Sequence, residues 1–266
     1  MTQYKVVFSD VDGTLLNTEN ELTQLTQKAI GKLKERKIPF VIVSARSPSG
    51  IYHILEENDF RSPIIAYSGA LILDEERKPL HQHAMTYGQA KAVLDYIEGH
   101  RLDASWGVYS VDDWIVKVKD DPRVKTEEDA VKAQAREGTM DSLPKDAMVH
   151  KILCMCGPGK ILGIEQQLKK AFPELSIVKS SEILLEVMAG GVNKAKAVRW
   201  LCGFWGVDIR EAIAFGDNYN DLEMLEAAGY SIAMGNAPED IRKKVGRVTK
   251  DNDHDGIYYA LEELGL

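Results

Sequence analysis

Three apolar residues, Val6, Val7 and Phe8, stand together near the start of the chain, and after them the spacing of apolar positions changes. Leu22, Leu25, Ala29 and Leu33 recur at intervals of three and four, the period of one helix face. PFVIVSAR from Pro39 is β-rich again, and PIIAYSG from Pro63 has the same form, an apolar run ending in turn residues. Continuous apolar strands separated by amphipathic helices predict a parallel sheet covered on both faces. The pattern returns late in the chain, where AIAFGD ends at Asp217, NDLEMLEAAG reads as a helix and SIAMG from Ser231 as a strand. The chain therefore starts and finishes in the same α/β fold.

Between these ends the pattern differs. SWGVYSVDDWIVKV from Ser105 alternates on either side of Asp112-Asp113, which predicts a two-residue hairpin turning on that pair. MVHKILCMC and ILLEVMAGG are further strand candidates, flanked by helical spacing at Ala90, Val93, Leu94 and Ile97 and at Ile161, Ile164, Leu168 and Phe172. The expected organisation is an α/β core made of residues 1–82 and 188–266, with an α+β insertion over 83–187. Pro79 and Gly190-Gly191 mark its hinges. No internal repeat or low-complexity tract interrupts the chain.

Length and composition narrow the function classes. With 266 residues and 44% hydrophobic content, the chain can bury one large core or two smaller ones. A formal charge of −8 disfavours a general nucleic-acid or anionic-membrane surface but leaves room for a local anion pocket. No basic segment followed by an apolar stretch opens the chain, and no run approaches the ~20 apolar residues of a membrane span. Cys154, Cys156 and Cys202 cannot all pair, and read as buried reduced thiols. A cytoplasmic protein is expected.

The chemistry lies where strand-like sequence stops. In open parallel sheets, ligands bind beyond the carboxyl ends of the strands. Asp10 and Asp12 follow the first strand, Ser44 and Arg46 end the second, Ser68-Gly69 ends the third, and GDNYND (Gly216 to Asp221) follows a later one. Asp10, Asp12, Asp217 and Asp221 would then face one crevice, where their like charges require a bound cation. Carboxylate oxygens without a histidine or cysteine set point to Mg²⁺, which suits a clamp on a phosphoryl group. One aspartate of the first pair can attack phosphorus while the other handles protons. Gly13 would turn the main chain sharply towards the phosphate.

In order, DVDGTLL, VIVSAR, GGVNKAKAV and GDNYNDLEML, followed by AMGNA from Ala233, resemble the four motifs of the haloacid dehalogenase superfamily. The position of the insertion is similar to that of its Cof-type sugar-phosphate phosphatases. The resemblance implies a Rossmann-like α/β core with a parallel sheet and an inserted α+β cap that selects substrate. It implies Asp10 as nucleophile and Asp12 as acid and base. Mg²⁺ would be held by Asp10, the Asp12 main-chain carbonyl and Asp217, with Asp221 in support. Val11, Ser44, Ala45, Lys194 and Asn220 would hold the phosphate. The expected partner is a small phosphorylated metabolite, with neither nucleic acid nor membrane.

Two positions depart from that pattern. Ser44-Ala45-Arg46 stands where Thr-Gly-Arg is more usual, and Ser68 where Asn is. Other signals are weaker. MCGPGK lacks the spacing of a phosphate loop, and no Gly-x-Gly-x-x-Gly follows the first strand. His81-x-His83 reads as incidental, and Trp106, Tyr109 and Trp114 read as core residues or as a sugar-lining set. The alternative function is a sugar phosphomutase, to which Lys117, Lys119 and Lys151 could contribute, or else a non-catalytic phosphometabolite sensor.

Overall fold

Strand β1 (Val6–Ser9) is buried along its whole length, with both faces covered, which is why its sequence shows no alternation. Helix α1 (Gln24–Glu35) begins after Thr23, whose hydroxyl accepts from the Thr26 N–H. Leu22 is buried ahead of the helix, and the face turned inward carries Thr26, Ala29, Ile30 and Leu33. β2 (Phe40–Val43), α2 (Pro48–Glu57), β3 (Ile64–Ala66), β4 (Leu71–Leu73) and β5 (Pro79–Gln82) follow.

The middle of the chain forms β6 (Met85–Thr86), α3 (Tyr87–Gly99), β7 (Ala104–Ser110), β8 (Asp113–Val116), α4 (Pro122–Val131) and β9 (Arg136–Glu137). It continues through β10 (Met148–Val149), β11 (Lys151–Cys156), α5 (Ile161–Ala171), β12 (Ser176–Lys179) and β13 (Leu184–Met188). The last part holds α6 (Lys194–Trp205), β14 (Ala212–Gly216), α7 (Leu222–Ala227), β15 (Tyr230–Ala233), α8 (Glu239–Val245) and α9 (Gly256–Glu263). The computed structural model describes residues 4–131 and 133–266. Among them, no helix is long and apolar enough to cross a membrane.

The chain divides into two units. The first comprises the N-terminal part through Ala45, Ile51–Leu80 and Asn193–Leu266; the second comprises Arg46–Gly50 and His81–Val192. The first is built on a sheet of order β15-β14-β1-β2-β3-β4-β5. Its strands from β15 to β3 are parallel, while β4 runs antiparallel to β3. Only Tyr67–Ala70 separate β3 from β4, too short a link for a parallel crossover. On one face Val6, Phe8, Val41, Val43 and Ile65 pack with Ala197, Val198 and Leu201 of α6 and Met224 and Leu225 of α7. Val7, Ile42 and Ile64 alternate to the other face.

The second unit has a sheet of order β12-β13-β11-β7-β8-β9. Trp106, Val108, Ile115, Ile152, Cys154 and Val187 pack with Ala90, Val93, Leu94 and Ile97 of α3 and Ile161, Ile164 and Leu168 of α5. The helical spacings read from the sequence are thus the buried faces of these helices. Trp106 belongs to this core, and Tyr109 and Trp114 stack at 5.2 Å, each nearly fully buried.

The hairpin differs by one residue from its expected register. Ser110 pairs with Asp113, so Val111 and Asp112 form the turn. Val111 takes a left-handed φ of 54°, unfavourable for a β-branched residue. Its N–H donates to Nδ1 of the buried His150 at 3.0 Å, which fixes the turn one residue early.

Candidate active site

Asp10 follows β1 directly, and its N–H extends the ladder to Phe215 O at 3.1 Å. The parallel neighbours β14 and β2 end beside it, placing the loops of Asp217 and Ser44 at the same edge. Lys194 opens α6, which Asn193 caps by accepting the Lys196 N–H at 2.7 Å. Although at the end of a helix, Lys194 is 1% exposed. Its Nζ donates to Asp10 Oδ1 at 2.5 Å and to Asp221 Oδ1 at 2.6 Å. A buried ammonium between two buried carboxylates is held by charge-assisted hydrogen bonds on both sides.

Asp221 is fully committed. Besides Lys194, its other oxygen accepts the N–H groups of Asp217 at 3.1 Å and Asn218 at 3.0 Å, shaping the turn after β14. Asp217 keeps more capacity, accepting the Thr14 hydroxyl at 2.8 Å. Gly13 has a φ of +77°, and a Cβ there would lie 2.6 Å from Asp217 Oδ2. Glycine is therefore required both by backbone conformation and by the close approach of this carboxylate. The Gly13 carbonyl accepts from Asn236 Nδ2 at 2.8 Å, tying the turn to the segment after β15.

Electrostatics set two of these carboxyls apart from ordinary ones. Burial pushes Asp10 up to about 7 against the opposing pull of Lys194, with Asp221 and Asp217 adding to the rise. Burial likewise raises Asp217 to about 6, opposed by the Thr14 hydroxyl and reinforced by Asp221. Lys194 is held well above its usual range: burial opposes its charge, but Asp10 and Asp221 outweigh that effect. One ammonium does not satisfy three carboxylates. Oxygens of Asp10, Asp217 and Asp221 lie within 4.8 Å of one another. This all-oxygen set, with Asp221 otherwise engaged, fits a hard divalent cation held by Asp10 and Asp217.

The structure joins Asp10, Lys194, Asp217 and Asp221 directly. Ser44, buried, and Ala45, half-buried, lie just beyond β2, while Asp12 and Asn220 are exposed on the loops after β1 and β14. Val11 is fully buried, and its carbonyl accepts the N–H groups of Thr14, Leu15 and Leu16. Thr14, Asn193 and Asn236 were not singled out from the sequence. A hydroxyl after Asp-Gly and an Asn before a helical run were signals for the first two. Asn236 lies in the AMGNA segment, but its partner, 223 residues away, was not legible there.

The secondary candidates have other roles. His83 Nε2 is 2.9 Å from Gly190 O. Cys154, Cys156 and Cys202 are free and buried, which pushes their thiols up.

The chain is similar to known proteins over nearly its whole length. The family profile described as haloacid dehalogenase-like hydrolase matches residues 7–261. A Haemophilus influenzae protein named as a candidate phosphatase is 36% identical over 264 residues, covering 98% of each chain. A Bacillus subtilis protein named 5-amino-6-(5-phospho-D-ribitylamino)uracil phosphatase is 26% identical, again over 98% of each chain. The crystal structure of a Thermotoga maritima protein superposes with a TM-score of 0.90 at 29% identity, covering 98% of this chain and 97% of that one. With the acidic cluster and Lys194 inside a match that runs nearly end to end, this chain belongs to the haloacid dehalogenase-like hydrolases.

Proposed function

We propose that this phosphatase is Mg²⁺-dependent and hydrolyses small phosphomonoesters, sugar phosphates foremost, through an aspartyl-phosphate. The observation that carries the reading is Lys194 Nζ bridging Asp10 and Asp221 at 2.5 and 2.6 Å, with Asp217 in the same oxygen cluster. Asp10 attacks phosphorus as the ester P–O bond breaks, and Asp12 gives the leaving alkoxide its proton. Asp12 then takes a proton from water, which attacks the phosphorus and releases inorganic phosphate and free Asp10. Lys194 orients Asp10 and offsets charge on the transferring group, while Ser44, Asn220 and the main chain at Val11 and Ala45 hold its oxygens. Mg²⁺, held by Asp10, the Asp12 carbonyl and Asp217, would supply charge neutralisation.

The second unit is the substrate-selecting cap in this reading. The Bacillus subtilis relative named for a phosphorylated ribityl compound supports a small polyol ester as substrate class. The phosphomutase alternative needs spare cations for a second phosphate. Lys117 pairs with Glu98 at 2.8 Å, Lys151 with Glu186 at 3.3 Å, and Lys119 lies 3.9 Å from Glu128. This pairing favours hydrolysis. The buried, raised thiols suit a reducing compartment such as the cytoplasm.

The test is phosphate release from p-nitrophenyl phosphate and a panel of sugar phosphates, with Mg²⁺ or EDTA, comparing wild type with Asp10→Asn. Metal-dependent turnover abolished by the substitution is expected. Isomerisation faster than phosphate release on adding a sugar bisphosphate would shift the assignment to a mutase. No turnover by folded, Mg²⁺-loaded wild type would sink it.

A further inference from the structure

The link between β3 and β4 runs through consecutive residues of positive φ. Tyr67, Ser68 and Gly69 have consecutive φ values of 50°, 54° and 111°. Left-handed conformations at non-glycine residues are costly and persist only where the surroundings enforce them. Here the Tyr67 side chain is fully buried, and the Ala70 N–H closes onto Tyr67 O at 3.1 Å.

Two elements of the acidic site lean on this turn. The Ser68 N–H donates to the Ser44 carbonyl at 2.9 Å, while the Ser44 N–H donates to Ile65 O at 2.8 Å, so the turn and β3 hold Ser44 from both sides. At Gly69, a Cβ would meet Asn193 O at 2.6 Å, Asn193 C at 3.0 Å and Ala197 Cβ at 3.1 Å. The turn thus abuts the backbone of the first turn of α6, the turn that carries Lys194. Backbone, unlike a flexible side chain, cannot swing away from such a contact.

We propose that Tyr67–Gly69 is a positioning device for the phosphoryl site, with Gly69 as its key positioning residue. Gly69 lets the start of α6 approach until Lys194 Nζ bridges Asp10 and Asp221, and the Ser68 N–H fixes the main chain at Ser44. Both ends act on groups read above as phosphate-binding, so the kinetic part rests on that reading. The left-handed φ also gives Ser68, where the resembling family more often has Asn, a physical context. Asparagine tolerates this conformation better than serine, and the turn compensates through its two contacts.

Gly69→Ala tests this directly. Its added methyl group requires α6 to shift by about half an ångström, enough to disturb a bidentate contact. In the variant's crystal structure, Lys194 Nζ should no longer reach both carboxylates. With Mg²⁺, kcat on p-nitrophenyl phosphate should fall about 10- to 100-fold. Affinity for inorganic phosphate, measured by calorimetry, should weaken about 10-fold, while the circular dichroism spectrum stays native. Gly203→Ala is the control, because it makes the same glycine-to-alanine change within α6 itself, at a position where a Cβ meets nothing.

Should Gly69→Ala fail to fold, Ser68→Val replaces it. A β-branched residue in the left-handed region should draw the N–H off Ser44 and weaken phosphate binding about threefold or more. Gly69→Ala with the bridge intact and kinetics unchanged overturns the proposal, as does unchanged phosphate affinity in folded Ser68→Val. Wild type that neither binds phosphate nor turns over would instead overturn the phosphatase reading. The position of Lys194 in the variant structure still decides the positioning claim.

Discussion

Lys194 shows how much of the site depends on one side chain. Removing it by Lys194→Met leaves Asp10 and Asp221 buried without their shared cation. At pH 8 in EDTA the variant should lose about 3–5 kcal/mol of stability, read by urea denaturation. The loss should shrink towards pH 5 as the carboxyls take up protons. Thr14 acts more gently: its hydroxyl bond to Asp217 orients a candidate metal ligand. Thr14→Val should weaken Mg²⁺ binding about 10-fold, measured by calorimetric titration, with little effect on the metal-free fold. Asp10, Asp217 and Lys194 were legible in the sequence because each belongs to a recognisable motif. Their mutual contact was not, since Lys194 lies 184 positions from Asp10.

At the scale of elements, periodicity translated well where a helix packs one face. Ala90, Val93, Leu94 and Ile97 of α3 all reach the core of the second unit. Boundaries were less legible, because capping and tertiary bonds set them. Thr23 starts α1 one residue after the apolar Leu22, and His150 draws the β7–β8 turn one residue earlier than the pair of aspartates suggests. The N-cap of α6 has a measurable share in the site. Asn193→Ala removes the acceptor of the Lys196 N–H and should cost about 1 kcal/mol in chemical denaturation. It should also lower kcat, because Lys194 is the next residue.

For the whole molecule, the two units carry opposite responses to pH. In the first, Asp10 and Asp217 have raised values, near 7 and 6. Their folded state binds protons more tightly than the unfolded chain does. That stability is present at low pH and is lost as pH rises through 6 to 7. In the second, burial lowers His150 to about 4, so the neutral ring is favoured. Its contribution is present above about pH 6.5 and is lost as pH falls towards 4, by up to about 3 kcal/mol. Differential scanning calorimetry in EDTA should therefore resolve two components, each unit having its own core. Lowering pH from 7 to 5 should destabilise the component that holds His150 and stabilise the other. Mg²⁺ at pH 8 should raise only the component that holds Asp10, and should do so less at pH 5.5, where protons compete for the same oxygens.

The sequence by itself determined the α/β class and the acidic motifs at strand ends, because apolar period and short local motifs are properties of neighbouring residues. Only the tertiary structure decided which of those motifs touch. It set Lys194 between Asp10 and Asp221, committed Asp221 to shaping its own turn, and left Asp217 beside Thr14. It also decided that Tyr67–Gly69 is left-handed, a conformation neither Tyr nor Ser prefers. Local propensity argues against that turn. Buried packing and bonds to residues distant in the chain outweigh it, and such terms exist only once the chain has folded.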